Sequence, residues 1–149
     1  MNASGRVRVA IDGPAGVGKS TTARALAARL GFQYVDTGAM YRAVGFAARR
    51  AGIDLDDEGA VAAVASSLVF HFENRDGDQR TLVDGEDLSD DIRTPQASMD
   101  ASAVSRFPAV RRALVALQQS LAVQGGVVME GRDIATVVMP DAEVMVYLD

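Results

Sequence analysis

The stretch GPAGVGKST, residues 13–21, constrains the possible folds of this chain more than any other feature. It follows the apolar run VRVAID and precedes TTARALAARLG, in which alanine and leucine recur at helical spacing. Four of its residues match the phosphate-loop pattern G-x-x-x-x-G-K-[ST], namely Gly13, Gly18, Lys19 and Ser20. The pattern needs a strand before it and a helix after it, and the sequence predicts both.

The chemistry of this loop suits a nucleoside triphosphate. Glycines let backbone N–H groups face phosphate oxygens, and the following helix adds its N-terminal dipole. Lys19 is the only lysine in a chain with fourteen arginines, and a compact ammonium fits the β- and γ-phosphates better than a guanidinium. Ser20 offers a hydroxyl to Mg²⁺. The predicted donor site comprises Gly13, Pro14, Ala15, Gly16, Val17, Gly18, Lys19, Ser20 and Thr21.

The order of predicted elements indicates a three-layer α/β domain with a mostly parallel sheet. Apolar residues of the first helix, Ala23, Leu26, Ala27 and Leu30, are expected to face the core. Between the helices, LVFHFEN, RDGD and RTLVDGEDLS predict a small antiparallel insertion. Strands are predicted at 6–12, 33–36, 127–130 and 143–148, the first and the last two buried, and helices at 21–31, 39–51, 57–68, from 94, and from 107.

Composition excludes several classes of protein. The chain has no cysteine, so disulfides and thiolate metal sites are ruled out. The sequence shows neither a secretory signal nor a membrane span, and we expect a cytoplasmic protein. Its net charge of -5 and the lack of a basic tail argue against a nucleic-acid polymer as partner. His71, the only histidine, is interpreted as structural or exposed, and Arg49 and Arg50 as exposed helical residues.

Two further stretches follow predicted strands, where α/β sheets bind ligands. In DTGAMYRAV, Thr37 can cap a helix and contact a ligand, and Arg42 lies off the apolar stripe, where it can bind a phosphate. In MEGRDIATVV, Arg132 and Asp133 come directly after an apolar strand. By spacing alone, Arg132 and Asp133 are either ligand-binding or a structural ion pair.

Sequence motifs exclude some of the protein classes that bind nucleoside triphosphates. A GTPase needs the base-recognition motif N-K-x-D, which a chain with one lysine cannot also supply. A motor ATPase needs a longer chain and a strand that ends in an acidic pair. A kinase for a nucleotide or another small molecule remains.

Four stretches together resemble bacterial cytidylate kinase, in order and over nearly the whole chain: IDGPAGVGKST, VDTGAMYRAV, GEDLSDDIRTPQASMDASAVSRFPAVRRALVALQ and EGRDIATVVMPDAEVMVYLD. The resemblance implies a P-loop kinase fold that uses ATP and Mg²⁺ to phosphorylate CMP and dCMP, as a monomer. It also implies a single domain, 1–149, with a core at 1–38 and 125–149. The monophosphate-binding region would span about 39–124, with 69–91 as its strand-containing insertion.

The resemblance also implies roles for individual residues. Lys19, Arg132 and Asp133 would be catalytic. Thr37 stands where the family usually has serine, and Glu130 where it often has aspartate. The residues that would bind the acceptor nucleotide are Thr37, Tyr41, Arg42, Ser102, Arg111, Arg132 and Asp133.

The family continues after YLD with an arginine-rich lid, a strand and a helix. If the chain ends at Asp149, we expect weak nucleotide binding and turnover far below that of an intact enzyme. Two alternatives stay open. One is another small-molecule P-loop kinase, such as a shikimate-type enzyme, and the other is a non-catalytic nucleotide-binding module.

Overall fold

The computed structural model describes residues 6–14 and 16–149. The strands are β1 (Arg8–Asp12), β2 (Gln33–Asp36), β3 (Phe70–Arg75), β4 (Asp78–Val83), β5 (Glu86–Asp87), β6 (Val127–Gly131) and β7 (Val144–Tyr147). The α-helices are α1 (Lys19–Leu30), α2 (Thr37–Arg50), α3 (Glu58–Ser67), α4 (Pro95–Ser105) and α5 (Pro108–Ala122), and a short π-helix spans Ile134–Val138. The chain divides into a first unit, Met1–Thr37 with Val115–Asp149, and a second unit, Gly38–Leu114.

The first unit is built on a parallel sheet in the order β2-β6-β1-β7. All five residues of β1 and of β6 are buried, as apolar strands in the middle of a parallel sheet should be. Helix α1 packs Ala23 and Ala27 against Val9 and Ile11 of β1. The predicted parallel α/β architecture is confirmed.

Two burial predictions for this unit are wrong. Leu30 is 46% exposed, because α1 buries only its alanine side and ends one residue later at Gly31, which is left-handed. Strand β7 forms as predicted, but Val144, Met145 and Tyr147 are exposed. In the described part of the chain β7 pairs with β1 alone, so it is an edge strand with one unpaired side.

The second unit contains the antiparallel sheet β3-β4-β5, which confirms the predicted insertion. Asp76 and Asp84 each adopt a positive φ before a glycine and close the two turns. Helix α3 is capped by the Asp57 carboxylate, and α4 by the Thr94 hydroxyl with proline at its first position. Both caps lie where the sequence predicts a helix to begin, at residues 57 and 94.

Arg49 is more than an exposed helical residue. Its guanidinium forms a bidentate pair with Asp100 of α4, at 2.7 and 2.9 Å, and Asp100 is buried. Gly45 makes this approach possible, since a Cβ there would lie 2.9 Å from the Asp100 Cβ. Arg50 pairs with Glu86 between exposed side chains. Within the described ranges, no helix is both long and apolar enough to span a bilayer.

Candidate active site

The phosphate loop joins β1 to α1 in a conformation that requires glycine. Gly16 and Gly18 have φ angles of 84° and 83°, in the left-handed region. A Cβ at Gly13 would collide with the carbonyl oxygen of Leu148. Gly18 is the N-cap of α1 and brings no side chain, so the first N–H groups of the helix lack a side-chain cap among the described residues. A helix N-terminus of this kind is suited to bind an anion.

Lys19 begins α1, and its Nζ donates a hydrogen bond of 2.9 Å to the carbonyl oxygen of Gly13. The ammonium therefore lies across the loop, beside the backbone N–H groups. Of the other predicted donor-site residues, Val17 is half-buried, while Pro14, Ser20 and Thr21 are exposed. Ala15 lies outside the described residues. These groups fit a triphosphate.

The phosphate loop, the DTG motif and the GRD motif all lie at the same edge of the sheet. Strands β2, β6 and β1 are parallel neighbours, and their carboxyl ends are in register. Asp12 pairs with Gly131, and Asp36 pairs with Glu130. The start of the phosphate loop, the DTG motif and the GRD motif therefore emerge side by side, as in the ligand crevice of open α/β sheets.

Glu130 is a buried carboxylate at this edge, with 3% of its surface exposed. Its Oε2 accepts a hydrogen bond of 2.9 Å from the Tyr34 hydroxyl. Burial raises the pKa of Glu130, the negative charge of Asp36 raises it further, and hydrogen bonds with Ser20 and Tyr34 and the charge of Lys19 oppose the rise. Burial likewise raises the pKa of Tyr34, so its hydroxyl stays protonated and donates.

The donor groups here fit Mg²⁺, which prefers oxygen ligands. Ser20 supplies a hydroxyl whose interaction with Glu130 favours the charged form of that carboxyl, so a hydroxyl and a carboxylate lie near each other beside the loop. The described residues contain no cluster of three or more side chains of the types that form an all-protein metal cage.

Thr37 and Gly131 pack together where β2 meets β6. The buried Thr37 hydroxyl donates to the backbone carbonyl of Glu130 at 2.8 Å. A Cβ at Gly131 would collide with that hydroxyl oxygen. The hydroxyl therefore fixes the end of β6, and its predicted contact with the acceptor stays a prediction.

Arg132 and Asp133 follow β6, and both are exposed. Asp133 adopts a left-handed conformation with φ 61°, which is uncommon for a residue other than glycine. Across the described part of the chain, neither side chain forms a hydrogen bond or an ion pair. This geometry leaves both side chains accessible to a ligand.

The remaining predicted acceptor residues lie in the second unit. Tyr41 and Arg42 are half-buried on α2, and Ser102 is exposed on α4. Arg111 is exposed at the start of α5, and its guanidinium donates to the carbonyl oxygen of Ser105 at 2.8 Å. That bond holds the guanidinium at the carboxyl end of α4, which also carries Ser102.

Sequence reasoning missed two residues of this site, Asp12 and Tyr34. Asp12 is an acidic residue at the end of an otherwise apolar strand, directly before the loop, and that signal could have marked it. In the sequence, nothing distinguishes Tyr34 from any other aromatic residue of a strand. Only the register of β2 against β6 brings it to Glu130.

A parallel α/β sheet with a phosphate loop after its first strand, and with acidic and basic residues at neighbouring strand ends, defines a P-loop kinase fold. The family model for cytidylate kinase matches residues 9–149. The chain belongs to the cytidylate kinase family.

Curated relatives agree with the family match. The chain is 52% identical to the cytidylate kinase of Pelotomaculum thermopropionicum over 94% of its own length and 62% of the relative's. It is 51% identical to that of Syntrophotalea carbinolica, over 94% of this chain and 60% of the relative. For Geobacter sulfurreducens the identity is 49%, over 99% of this chain and 64% of the relative. The chain thus spans less than two thirds of the length of these relatives.

Proposed function

We propose that the protein carrying this sequence phosphorylates CMP and dCMP with ATP, in the presence of Mg²⁺. The observation that carries the proposal is the register of β1, β6 and β2, which brings the phosphate loop, the DTG motif and the GRD motif to one edge of the sheet. The names of the relatives supply the substrate class. The competing assignment to a shikimate-type kinase has no support among these relatives.

The phosphate loop would hold the donor. The backbone N–H groups around Gly16 and Gly18 and the N-terminus of α1 would bind the phosphate oxygens. Lys19 would exchange its hydrogen bond to the Gly13 carbonyl for one to the β- and γ-phosphates. Ser20, with Glu130 beside it, would hold Mg²⁺, which when bound neutralises charge on the phosphates.

Arginines and hydroxyls would hold the acceptor. Arg132 and Arg42 present planar guanidinium groups that suit two oxygens of a monophosphate. Asp133 would orient the acceptor near its pentose and phosphate. In the second unit, Ser102 would contact the cytosine, and Arg111 would be a further arginine that binds the acceptor or its phosphate. Tyr41, which is half-buried and next to Arg42 in sequence, would also bind the acceptor nucleotide.

The reaction joins a phosphate oxygen of CMP to the γ-phosphorus of ATP while the bond from that phosphorus to the β–γ bridging oxygen breaks. ADP and CDP are the products, and no strong base is needed. The protein's part is to position two anions and to stabilise the charge that develops between them. Lys19 and Arg132 would supply that positive charge.

A coupled ADP-release assay tests the proposal. The assay compares the 149-residue chain with an extended chain that contains the same sequence. The acceptor panel is CMP, dCMP, UMP, AMP and shikimate. We expect rapid ADP release with CMP and dCMP and little with shikimate. Release that does not depend on CMP, or ATP binding without any turnover in either protein, would contradict the proposal.

Variants test the donor and acceptor roles separately. Lys19→Ala should lower kcat about 100-fold or more, because it removes a charge that stabilises the transition state. Arg111→Ala should raise KM for CMP, whereas the neighbouring exposed Arg112→Ala should not. Arg42→Ala and Arg132→Ala should weaken the response to CMP, and an unchanged response would refute their assignment.

A further inference from the structure

Asp12 is the last residue of β1 and is buried between two neighbouring strands. It pairs with Gly131 of β6 on one side and with Tyr147 of β7 on the other. Among the described residues, its carboxylate binds backbone N–H groups and no other side chain. Its Oδ1 accepts a hydrogen bond of 2.8 Å from the backbone N–H of Ile134, and Oδ2 accepts one of 2.9 Å from that of Ala135.

These two N–H groups start the short π-helix that follows the GRD motif. Their own helix cannot satisfy them, because the first N–H groups of any helix lack intrahelical partners. Ile134 is 1% exposed, so water cannot take the place of the carboxylate there. Bonds from two backbone donors to one carboxylate are charge-assisted and fix the position of the segment that carries them.

The residue just before these donors, Asp133, has the left-handed φ of 61°. Aspartate is among the few residues besides glycine that adopt this conformation in turns, and here the segments on both sides fix it. Upstream, Gly131 is held by its close packing on Thr37. Downstream, Asp12 holds Ile134 and Ala135. The two exposed side chains of the motif therefore project from a turn that is anchored at both ends.

Asp12 is also fixed on its own backbone. Its carbonyl oxygen accepts a hydrogen bond of 2.9 Å from the N–H of Leu148. The next residue, Gly13, begins the phosphate loop and has no room for a side chain against Leu148. One residue thus anchors the GRD turn to the strand that leads into the donor loop.

We infer that Asp12 is a positioning residue for the acceptor nucleotide: its carboxylate fixes the turn that aims Arg132 and Asp133. The inference rests on the proposed function, in which those two side chains bind the acceptor monophosphate. Asp12 itself touches neither nucleotide in this assignment. Its contribution is to keep the guanidinium of Arg132 at one place relative to the phosphate loop.

Asp12→Asn tests the inference, because asparagine keeps the size but turns an N–H group toward one of the two backbone donors. KM for CMP should rise about tenfold, since misplacing a positioning group costs about that much or more. KM for ATP should change less than about twofold, because the loop keeps its own glycines and lysine. In native-state hydrogen exchange, the amides of Ile134 and Ala135 should lose protection.

Glu143→Gln is the matched control. Glu143 is also a carboxylate of the first unit that accepts from a backbone N–H, that of Arg8 at 2.8 Å, but at the opposite end of β1. Glu143→Gln should lower the melting temperature, but it should not raise the KM for CMP relative to the KM for ATP. In an Arg132→Ala background, Asp12→Asn should raise KM for CMP clearly less than it does in the wild type, because one of the two side chains it positions is gone.

The outcomes separate this inference from the proposed function. A wild-type protein without CMP-dependent turnover overturns the proposed function and the acceptor role of Asp12 with it. A wild-type protein that turns over CMP and is impaired by Arg132→Ala leaves Asp12 to be judged alone. In that case, an Asp12→Asn variant with both KM values unchanged, or with both raised equally, overturns the inference.

Discussion

Tyr34→Phe is the sharpest test of the buried pair at the end of β6. The substitution removes one oxygen atom and keeps the ring, so the packing of β2 changes little. What it removes is the hydroxyl that donates to Glu130 Oε2 at 2.9 Å. Both side chains are buried, with 7% of Tyr34 and 3% of Glu130 exposed, so water cannot readily replace the lost donor.

The expected cost is about 2 kcal/mol of unfolding free energy, because hydrogen bonds to charged groups contribute roughly 1.5–3 kcal/mol. For a chain of this length, each kcal/mol moves the melting temperature by roughly 2–4 °C, so the loss should be about 4–8 °C. In a Glu130→Gln background the acceptor is neutral, and the same substitution should cost only about 1 kcal/mol. Urea and thermal unfolding of the four proteins in this cycle measure both quantities.

Tyr147→Phe is the control, since Tyr147 lies on β7 and is 69% exposed. It should change stability by less than about 0.5 kcal/mol. A cost below about 0.5 kcal/mol for Tyr34→Phe would refute the reasoning, because the charged hydrogen bond would then contribute no more than a surface contact. An equal cost with and without Glu130 would refute it as well, since the effect would not depend on the carboxylate.

Two further substitutions test packing and pH dependence. Gly131→Ala should destabilise the protein by roughly 1–3 kcal/mol, because the new Cβ would collide with Thr37. The control is Gly59→Ala in the exposed first turn of α3, which should be neutral or stabilising. Urea unfolding measures the stability of both variants. Hydrogen bonds from the buried Ser89 lower the pKa of Asp87 to about 2. A depressed carboxyl pKa gives stability that is present above the usual 3.8 and lost as pH falls toward 2. Ser89→Ala should therefore cost roughly 1–3 kcal/mol at pH 7, and acid titrations should show that gap narrowing below about pH 4.

The parts of the fold that depend on near neighbours were predictable. The loop, the start of α1 and the caps at Asp57 and Thr94 each follow from residues within a few positions of one another. The same holds for the hairpin at Asp76, where the turn sequence and the flanking alternation agree. The GRD motif was likewise placed at a strand end because an apolar run precedes it.

Contacts between distant segments were not predictable in the same way. Asp12 and Ile134 are 122 residues apart, and their hydrogen bond depends on the pairing of β1 with β6. The bond between Tyr34 and Glu130 depends in turn on the register of β2. The exposure of β7 follows from its place at the sheet edge, whereas its apolar pattern matches that of a central strand.

Asp12 and Glu130, two carboxylates at the carboxyl edge of the sheet, have different hydrogen-bond partners. Asp12 faces two backbone N–H donors, whereas Glu130 is buried, faces Asp36, and has hydroxyl partners. Its raised pKa means that stability is present below the usual 4.5 and lost as pH rises through the folded-state value. An ionised Glu130 is therefore less favourable for the fold than a neutral one, and a glutamine could keep the bond to Tyr34 without that cost. The packing around Glu130 by itself therefore favours a neutral side chain over the carboxylate.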